Sequence, residues 1–478
     1  MLIPGSRRLR VPAVVLAAVL TLVFLLYNSD HNVRRGHALD RLVRPQTWLK
    51  PHPPSLPGLP PEYAIPSSES PWCQDRYGTR YLNNTRDWSA SYCTRESASN
   101  FTCFWSSTAS DRVDVMCLGR RAVFDASQQR FRLACQLREL SQQEKVDGVP
   151  AVPDQLTRHW YDTGPGIVME RAVLLGKTVP VPRKPATTTI LVKREGNANL
   201  WHSLMEIISL SWTLDVLQMT VDDETGEPFL SPRAGRNAQV VLLDQHDEGN
   251  FIALWRLFAK MPIRHIHDLD DSEPPTDIVI PFAGGSNPLW QGDWVDLECH
   301  DSALVKTFVS RVLSHYNTST PSRDADQVTV TFIHRTNTRK LIDEAEHIGA
   351  LASAIPHMKL NVVDFAALPL TGQIDIIRGT DVLVGVHGAG LTHLMFLRPG
   401  STVIEILPEG FQHKGFRNLA QMLGLNFLRT HAKMRGNASG SQQWQSDDVD
   451  IDGQKLMDVV GVGVRGLYSK DLRSHDVY

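Results

Sequence analysis

A chain of 478 residues with 42% hydrophobic and 21% charged residues is long enough for two cores and is not disordered in bulk. Its 49 Lys and Arg stand against 52 Asp and Glu, a formal charge of −3, so no basic field marks it for nucleic acid, and duplex DNA is excluded as an expected partner.

Residues 11–27 carry no charge, are rich in Val, Leu and Ala, and follow Arg7, Arg8 and Arg10. That length sits at the short end for a membrane-spanning helix and also suits a signal-peptide core. No small-x-small cleavage site follows, which favours an uncleaved anchor. Arginines flank both sides of the span (Arg34, Arg35, Arg41 and Arg44 follow it), so charge alone leaves its orientation open. From Pro45 to Pro71 prolines recur densely, which holds the backbone extended and reads as a stalk.

Five of the six cysteines (Cys73, Cys93, Cys103, Cys117, Cys135) cluster early and Cys299 lies apart, with no C-x-x-C pair. That distribution suits disulfides in an oxidising lumen better than zinc; the pairing stays open among fifteen possibilities. Asn83, Asn100, Asn317 and Asn437 each open an N-x-S/T triplet, the acceptor pattern for lumenal N-glycosylation. Together these features predict a type II membrane protein, with residues 1–10 cytosolic, 11–27 spanning, 28–71 a stalk and the bulk in the secretory lumen. The C-terminal Ser474–Tyr478 is not a K-D-E-L-type retrieval signal, so Golgi residence is expected as readily as endoplasmic reticulum.

Residues 72–131 read as a disulfide-pinned, β-rich lead-in. Apolar runs at 188–192, 238–243 and 277–281 read as strands, and periodic segments at 197–218, 251–260 and 302–316 as helices. A polar, Pro-broken stretch at 318–327 fits a domain boundary. Beyond it, strands are predicted at 328–333, 360–363, 382–386, 402–407 and 425–428, with helices at 341–354, 414–423 and 453–468. The alternation predicts an α/β fold with two mostly parallel sheets, a first domain over 72–325 and a second over 326–478, facing a cleft.

The most telling segment is D-V-L-V-G-V-H-G-A-G-L-T-H-L-M-F, from Asp381 to Phe396. A strand meets the turn Gly388-Ala389-Gly390 and then a helix-like run whose first N–H groups would cradle an anion. Arg335 stands just past the predicted strand 328–333, a place from which a guanidinium can meet a phosphate, with Arg339 or Lys340 as helpers. Glu405 lies inside an apolar strand, which is costly unless the carboxylate is paired or faces the cleft. His202 and Glu206 share a helix face, so the carboxylate could orient the imidazole as a general base.

This segment, read with H-R-T-N-T-R-K (His334 to Lys340) and N-L-W-H-S-L-M-E (Asn199 to Glu206), resembles glycosyltransferase family 61, and within it the EGF-domain-specific O-linked N-acetylglucosamine transferases. The resemblance implies a GT-B-like arrangement of two Rossmann-like domains, with 326–478 binding the nucleotide sugar and 72–325 on the acceptor side. It implies an inverting transfer, N-acetylglucosamine from a UDP-sugar to a hydroxyl of a secretory-pathway protein or glycan. UDP-xylose as donor, or a catalytically silent glycan-binding protein of the same fold, are the alternatives. Under this reading Arg335, Arg339, His387, Gly388, Ala389, Gly390, His393 and Glu405 bind the donor, Glu405 through sugar hydroxyls, while His202 and Glu206 are catalytic. GT-B enzymes generally need no catalytic metal, so the acidic runs Asp270-Asp271 and Asp447-Asp448-Val449-Asp450 are expected to be solvated loops, with no cofactor beyond the co-substrate.

Overall fold

The computed structural model of the protein describes residues 58–477, except 64–67, 110–111, 177–184, 186, 232, 319–326, 356, 437–442 and 469–473. The expected anchor at 11–27, most of the stalk and the Asn437 triplet lie outside the described residues. Among the described residues no helix is long and apolar enough to cross a membrane.

Two sheets organise the chain from Leu56 onward, which forms one compact unit. The first holds β1 (Ser89–Ser91), β2 (Phe101–Ala109), β3 (Arg112–Asp125), β4 (Arg130–Leu133), β5 (Val173–Leu175), β6 (Thr187–Val192), β7 (Ala238–Leu242), β8 (Arg264–His265) and β9 (Thr276–Ile280). Its main path runs β1-β2-β3-β9-β6-β7-β8, parallel from β9 to β8 and antiparallel from β1 to β9. The second holds β10 (Val328–Ile333), β11 (Met358–Val363), β12 (Val382–Val386), β13 (Thr402–Pro408), β14 (Asn426–Arg435), β15 (Asp448–Asp450) and β16 (Ser474–Val477). Its order is β11-β10-β12-β13-β14-β15, with β16 also on β14; the first five strands are parallel.

Each parallel set reverses direction once. In the second sheet the chain steps from β10 to β11 on one side and to β12 on the other. In the first it steps from β6 to β7 and β8, then returns to β9 beside β6. Loops leaving two such strands part company at their carboxyl ends and open a crevice there, the usual ligand site of open α/β sheets. β12 and β13 are buried along their whole length, which explains their near-continuous apolar runs.

One apolar core joins the sheets: Leu204, Ile208 and Trp212 of the Leu200–Met219 helix lie in the same cluster as Phe308, Leu383, Leu394 and Phe416. The predicted stripe on that helix widens to almost its full circumference, as expected of a central helix. Several other expectations are corrected. The lead-in opens with two helices, Pro71–Tyr77 and Thr79–Asp87, the first capped by Ser70 with Pro71 at its first turn. The packed body starts before Trp72, because buried Tyr63 donates its hydroxyl to Asp215 at 2.6 Å. The helix expected over 251–260 shrinks to Ile252–Trp255, and the short strand at 425–428 extends to Arg435.

All six cysteines pair, as Cys73–Cys299, Cys93–Cys135 and Cys103–Cys117. The first bridge spans 226 residues and ties the opening helix to the segment before the Ala303–His315 helix. Non-reducing peptide mapping is expected to recover the Cys73 and Cys299 peptides as one species. Replacing both cysteines by Ser should lower unfolding free energy by about 2–5 kcal/mol, because the longest loop is then freed in the unfolded chain. A Cys299 peptide recovered alone as a free thiol contradicts this connectivity.

Candidate active site

The strand reversal of the second sheet carries the residues singled out from sequence. Arg335 follows β10 by two positions, and His387 to Gly390 follow β12 directly. Between these loops and the segment at Asn197, Ala198 and Asn250 lies a cavity of about 330 Å³, floored by Phe365 and walled by Ala389, Gly390 and Arg335. A cavity of that size is at the small end for a bound organic ligand.

Gly388 has a φ of 156°, which favours glycine, and it faces two guanidiniums. A Cβ at this position would come within 2.5 Å of Arg335 Nη1 and 3.2 Å of Arg339 Nη2, so two guanidiniums converge on one glycine. Arg335 is held by its Nε donating to Thr338 O at 2.8 Å, and Arg339 lies 5.6 Å from the Trp444 ring centroid. Among the described residues neither guanidinium is paired with a carboxylate, and Arg339 Nε is buried with no hydrogen-bond partner. Burial, and then the neighbouring Arg335, lowers the Arg339 pKa to about 10; burial lowers that of Arg335 as well. Both remain cations at neutral pH, and two like charges held together demand an anion. Arg339 adopts a left-handed backbone, φ 55°, which is uncommon for a side chain of its kind and is retained where surrounding packing imposes it.

The expected helix after the glycine turn is a 3-10 run, Ala389–Phe396. Its hydrogen-bond geometry is tighter and poorer than that of an α-helix, and the two guanidiniums stand at its start. The helper Lys340 turns away instead, its backbone N–H donating to Asp448 at 2.9 Å and its amine 3.7 Å from the same carboxylate. The acidic runs are engaged with protein groups too: Asp450 pairs with Arg435, and Asp271 accepts from Ala126 N–H.

Glu405 does not reach the cavity, which corrects its expected contact with sugar hydroxyls. It is fully buried, with Oε1 2.7 Å from His387 Nδ1 and Oε2 accepting from Arg429 at 3.1 Å. Burial pushes its pKa up, but the His387 hydrogen bond and the Arg429 charge outweigh it and hold Glu405 below the ordinary carboxylate value. Burial meanwhile depresses His387 to about 4, so its imidazole is neutral at physiological pH. Nδ1–H then donates to Glu405, and Nε2 is left as an acceptor, suited to a sugar hydroxyl rather than a phosphate. His393 is likewise depressed to about 4 by burial. Its Nδ1 and Nε2 lie 2.7 Å from Gly390 O and Gln373 Oε1, and its ring stacks on Phe365 at 4.2 Å. Stacked on Phe365 and held between Gly390 and Gln373, His393 braces the cavity wall.

The strand reversal of the first sheet holds the second group. His202, near the start of the Leu200–Met219 helix, has Nδ1 2.9 Å from Glu195 Oε2. Glu195 follows β6 by three positions, so the carboxylate that orients His202 comes from the strand end and is not Glu206. Glu206 is buried behind it, accepting from Glu195 N–H at 2.8 Å, and Gly284 beyond β9 lets it pack, since a Cβ there would meet Glu206 Cγ at 2.8 Å. Sequence reasoning passed over Glu195, although the rule that singled out Arg335, a charged side chain just past a strand's carboxyl end, applies to it equally.

Two strand reversals, one cationic and one carrying a buried carboxylate–imidazole pair, define a mixed α/β protein of a form consistent with a glycosyltransferase. Residues 201–404 match the family model described as Glycosyltransferase 61, which supports glycosyl transfer as the chemistry. Proteins named EGF domain-specific O-linked N-acetylglucosamine transferase are similar to this chain. The one from Gallus gallus is 24% identical over 267 residues, covering 53% of this chain and 45% of that protein. The one from Drosophila melanogaster is 24% identical over 253 residues (50% and 45%), and the one from Xenopus laevis 32% over 133 residues (27% and 25%). The chain therefore spans less than half the length of these relatives. Among solved structures, a flavo di-iron protein from Thermotoga maritima overlays at 8% identity and a TM-score of 0.23, covering 79% of this chain and 99% of that one, too low to bear on fold or function.

Burial, and then the charge of Glu195, raises the Glu206 pKa well above the ordinary carboxylate value. A raised native pKa means that the unfolded chain ionises first as pH rises, so the native state loses relative stability from the unfolded carboxylate range upward. Glu206→Gln removes this loss and should raise the melting temperature at neutral pH, with the gain shrinking toward pH 4. A variant less stable than its parent at pH 7 contradicts a raised Glu206 pKa.

Proposed function

We propose that this protein is an inverting glycosyltransferase that moves a sugar from a UDP-sugar, N-acetylglucosamine foremost, to a hydroxyl of a secretory-pathway protein or glycan. The observation that carries the reading is the pair of guanidiniums, Arg335 and Arg339, unanswered by any carboxylate among the described residues at a strand reversal. They suit the diphosphate, which gains charge as its bond to the sugar breaks. The two sheets are then the cores of a GT-B-like pair, with the donor mainly on the second. Three disulfides accord with a lumenal address, with the apolar run at 11–27 as its membrane anchor.

In this reading the acceptor oxygen attacks the anomeric carbon as the bond from that carbon to the diphosphate oxygen breaks. The bonding pair leaves with the diphosphate, onto Arg335 and Arg339, and a single displacement inverts the carbon. The acceptor's proton passes to His202 Nε2, because Nδ1 faces the Glu195 carboxylate at 2.9 Å. Glu195 is thus a positioning residue for His202. His387 accepts a hydroxyl of the donor sugar through Nε2, held by Glu405 behind it. No metal is assigned a step, since the guanidiniums supply the countercharge.

Transfer from a panel of UDP-sugars by the full chain tests this. N-acetylglucosamine transfer that survives chelator is expected, with xylose transfer naming the alternative donor. His202→Ala should lower kcat by roughly 10²–10⁴-fold. Glu195→Gln should also lower kcat with donor KM unchanged and Glu195→Asp partly restoring it, whereas Glu206→Gln should stay near the parent. Near-normal transfer by a folded His202→Ala variant removes it from the mechanism.

A further inference from the structure

The surface around His202 is built in a way that the donor site does not explain. His159 and Thr163 pair as an isolated antiparallel bridge, closing a three-residue tip of Trp160, Tyr161 and Asp162. Tyr161 and Asp162 both hold left-handed backbone, φ 57° and 56°, a conformation costly for side chains of their kind. Yet Trp160 is 57% exposed and Tyr161 59% exposed, so the strain does not bring either ring into the core. The tip is braced at its base: His159 is buried with Nε2 3.3 Å from Asp114, Thr163 Oγ1 donates to Trp160 O at 2.9 Å, and Lys193 Nζ donates to Tyr161 O at 3.1 Å. Gly164 and Gly285 each give His159 room that a Cβ would fill.

What this rigid tip frames is the imidazole. The Tyr161 ring stands edge-on to His202 at 5.2 Å, and Trp290, half-buried, does so from another side at 4.7 Å. Trp160 lies 6.0 Å from Trp290 with 32° between their planes, so the two indoles are neighbours at this tip. Both arginines beside them are paired, Arg171 with Asp162 and Arg158 with Glu170, while the Lys193 amine donates to the Tyr161 carbonyl. The result is a mainly aromatic surface whose two arginines are neutralised, next to the group assigned to take the acceptor's proton.

We propose that Trp160, Tyr161 and Trp290 form the acceptor platform, and that it receives a neutral pyranose ring, so that the acceptor is a glycan rather than an unmodified polypeptide hydroxyl. The axial C–H groups of a pyranose form a flat apolar face that fits an indole, while its rim hydroxyls can reach His202 Nε2. A glycan or peptide rich in charge would instead call for several free ionic partners, and both arginines of this tip are committed to carboxylates. The inference rests on the role given to His202 above.

Binding, not turnover, tests it. The full chain in detergent micelles is titrated with methyl glycosides of glucose, galactose, mannose and xylose, with methyl glucuronide, and with an unglycosylated Ser/Thr peptide, followed by saturation-transfer NMR and tryptophan fluorescence. At least one neutral glycoside is expected to bind. Trp160→Ala and Tyr161→Ala should each weaken it about tenfold, with Trp160→Phe close to the parent and UDP affinity unmoved in all three. Absence of binding by every neutral glycoside, binding of the peptide or glucuronide alone, or alanine variants that bind as the parent does overturns the proposal. Loss of UDP binding in the parent itself strikes the nucleotide-sugar reading instead, so the two failures are distinct.

Discussion

Two guanidiniums pressed against a single glycine, with no carboxylate among the described residues to neutralise them, are the constraint around which the rest of the second sheet is arranged. Holding Arg335 and Arg339 together costs electrostatic energy that the empty-handed fold does not recover. A hydrogen bond fixing Arg335 and an aromatic face from Trp444 beside Arg339 offset part of that cost, and the left-handed backbone at Arg339 adds to it. Such an arrangement is explained by an anion that arrives with the substrate and departs with more charge than it brought.

Behind this site, buried charge is answered in full. Glu405 would be ruinous in the middle of β13 were it alone, but His387 and Arg429 engage both its oxygens, and Arg429 also donates to His413 O at 2.6 Å. Removing one partner from such a buried set typically costs about 3–5 kcal/mol, because the other charge is left stranded. The network therefore fixes the His387 tautomer, which in turn decides that this imidazole accepts rather than donates. A single strand position thus reaches the chemistry through two intermediaries.

Much of this was legible in the sequence, and the exceptions have physical causes. β10 and β12 match their predicted bounds residue for residue: β12 is buried throughout and reads as an unbroken run of Val, Leu and Gly, and β10 is β-branched at every position but Phe332. The arginine at the strand end followed from the same pattern. The carboxylate assigned to His202 was wrong because helical spacing reports only neighbours on the same helix, whereas Glu195 arrives from a strand end. Arg429, the partner of Glu405, lies one residue past the predicted strand end at Leu428 and stands opposite Glu405 in the parallel register, a pairing that only the register reveals. Of the glycosylation triplets, Asn100 is buried and donates to Glu224, a state that a three-residue pattern cannot report, while Asn317 is exposed. The aromatic tip at Trp160 carries no periodicity at all; consecutive left-handed residues without glycine have no compositional signature.

Calorimetric titration of UDP into the full chain addresses the central claim most directly. The parent should bind UDP, and Arg335→Ala and Arg339→Ala should each weaken binding by roughly 10–100-fold, the worth of a charge-assisted contact. A parent that does not bind UDP, or alanine variants that bind it as the parent does, would contradict the assignment of the guanidinium pair to a nucleotide diphosphate.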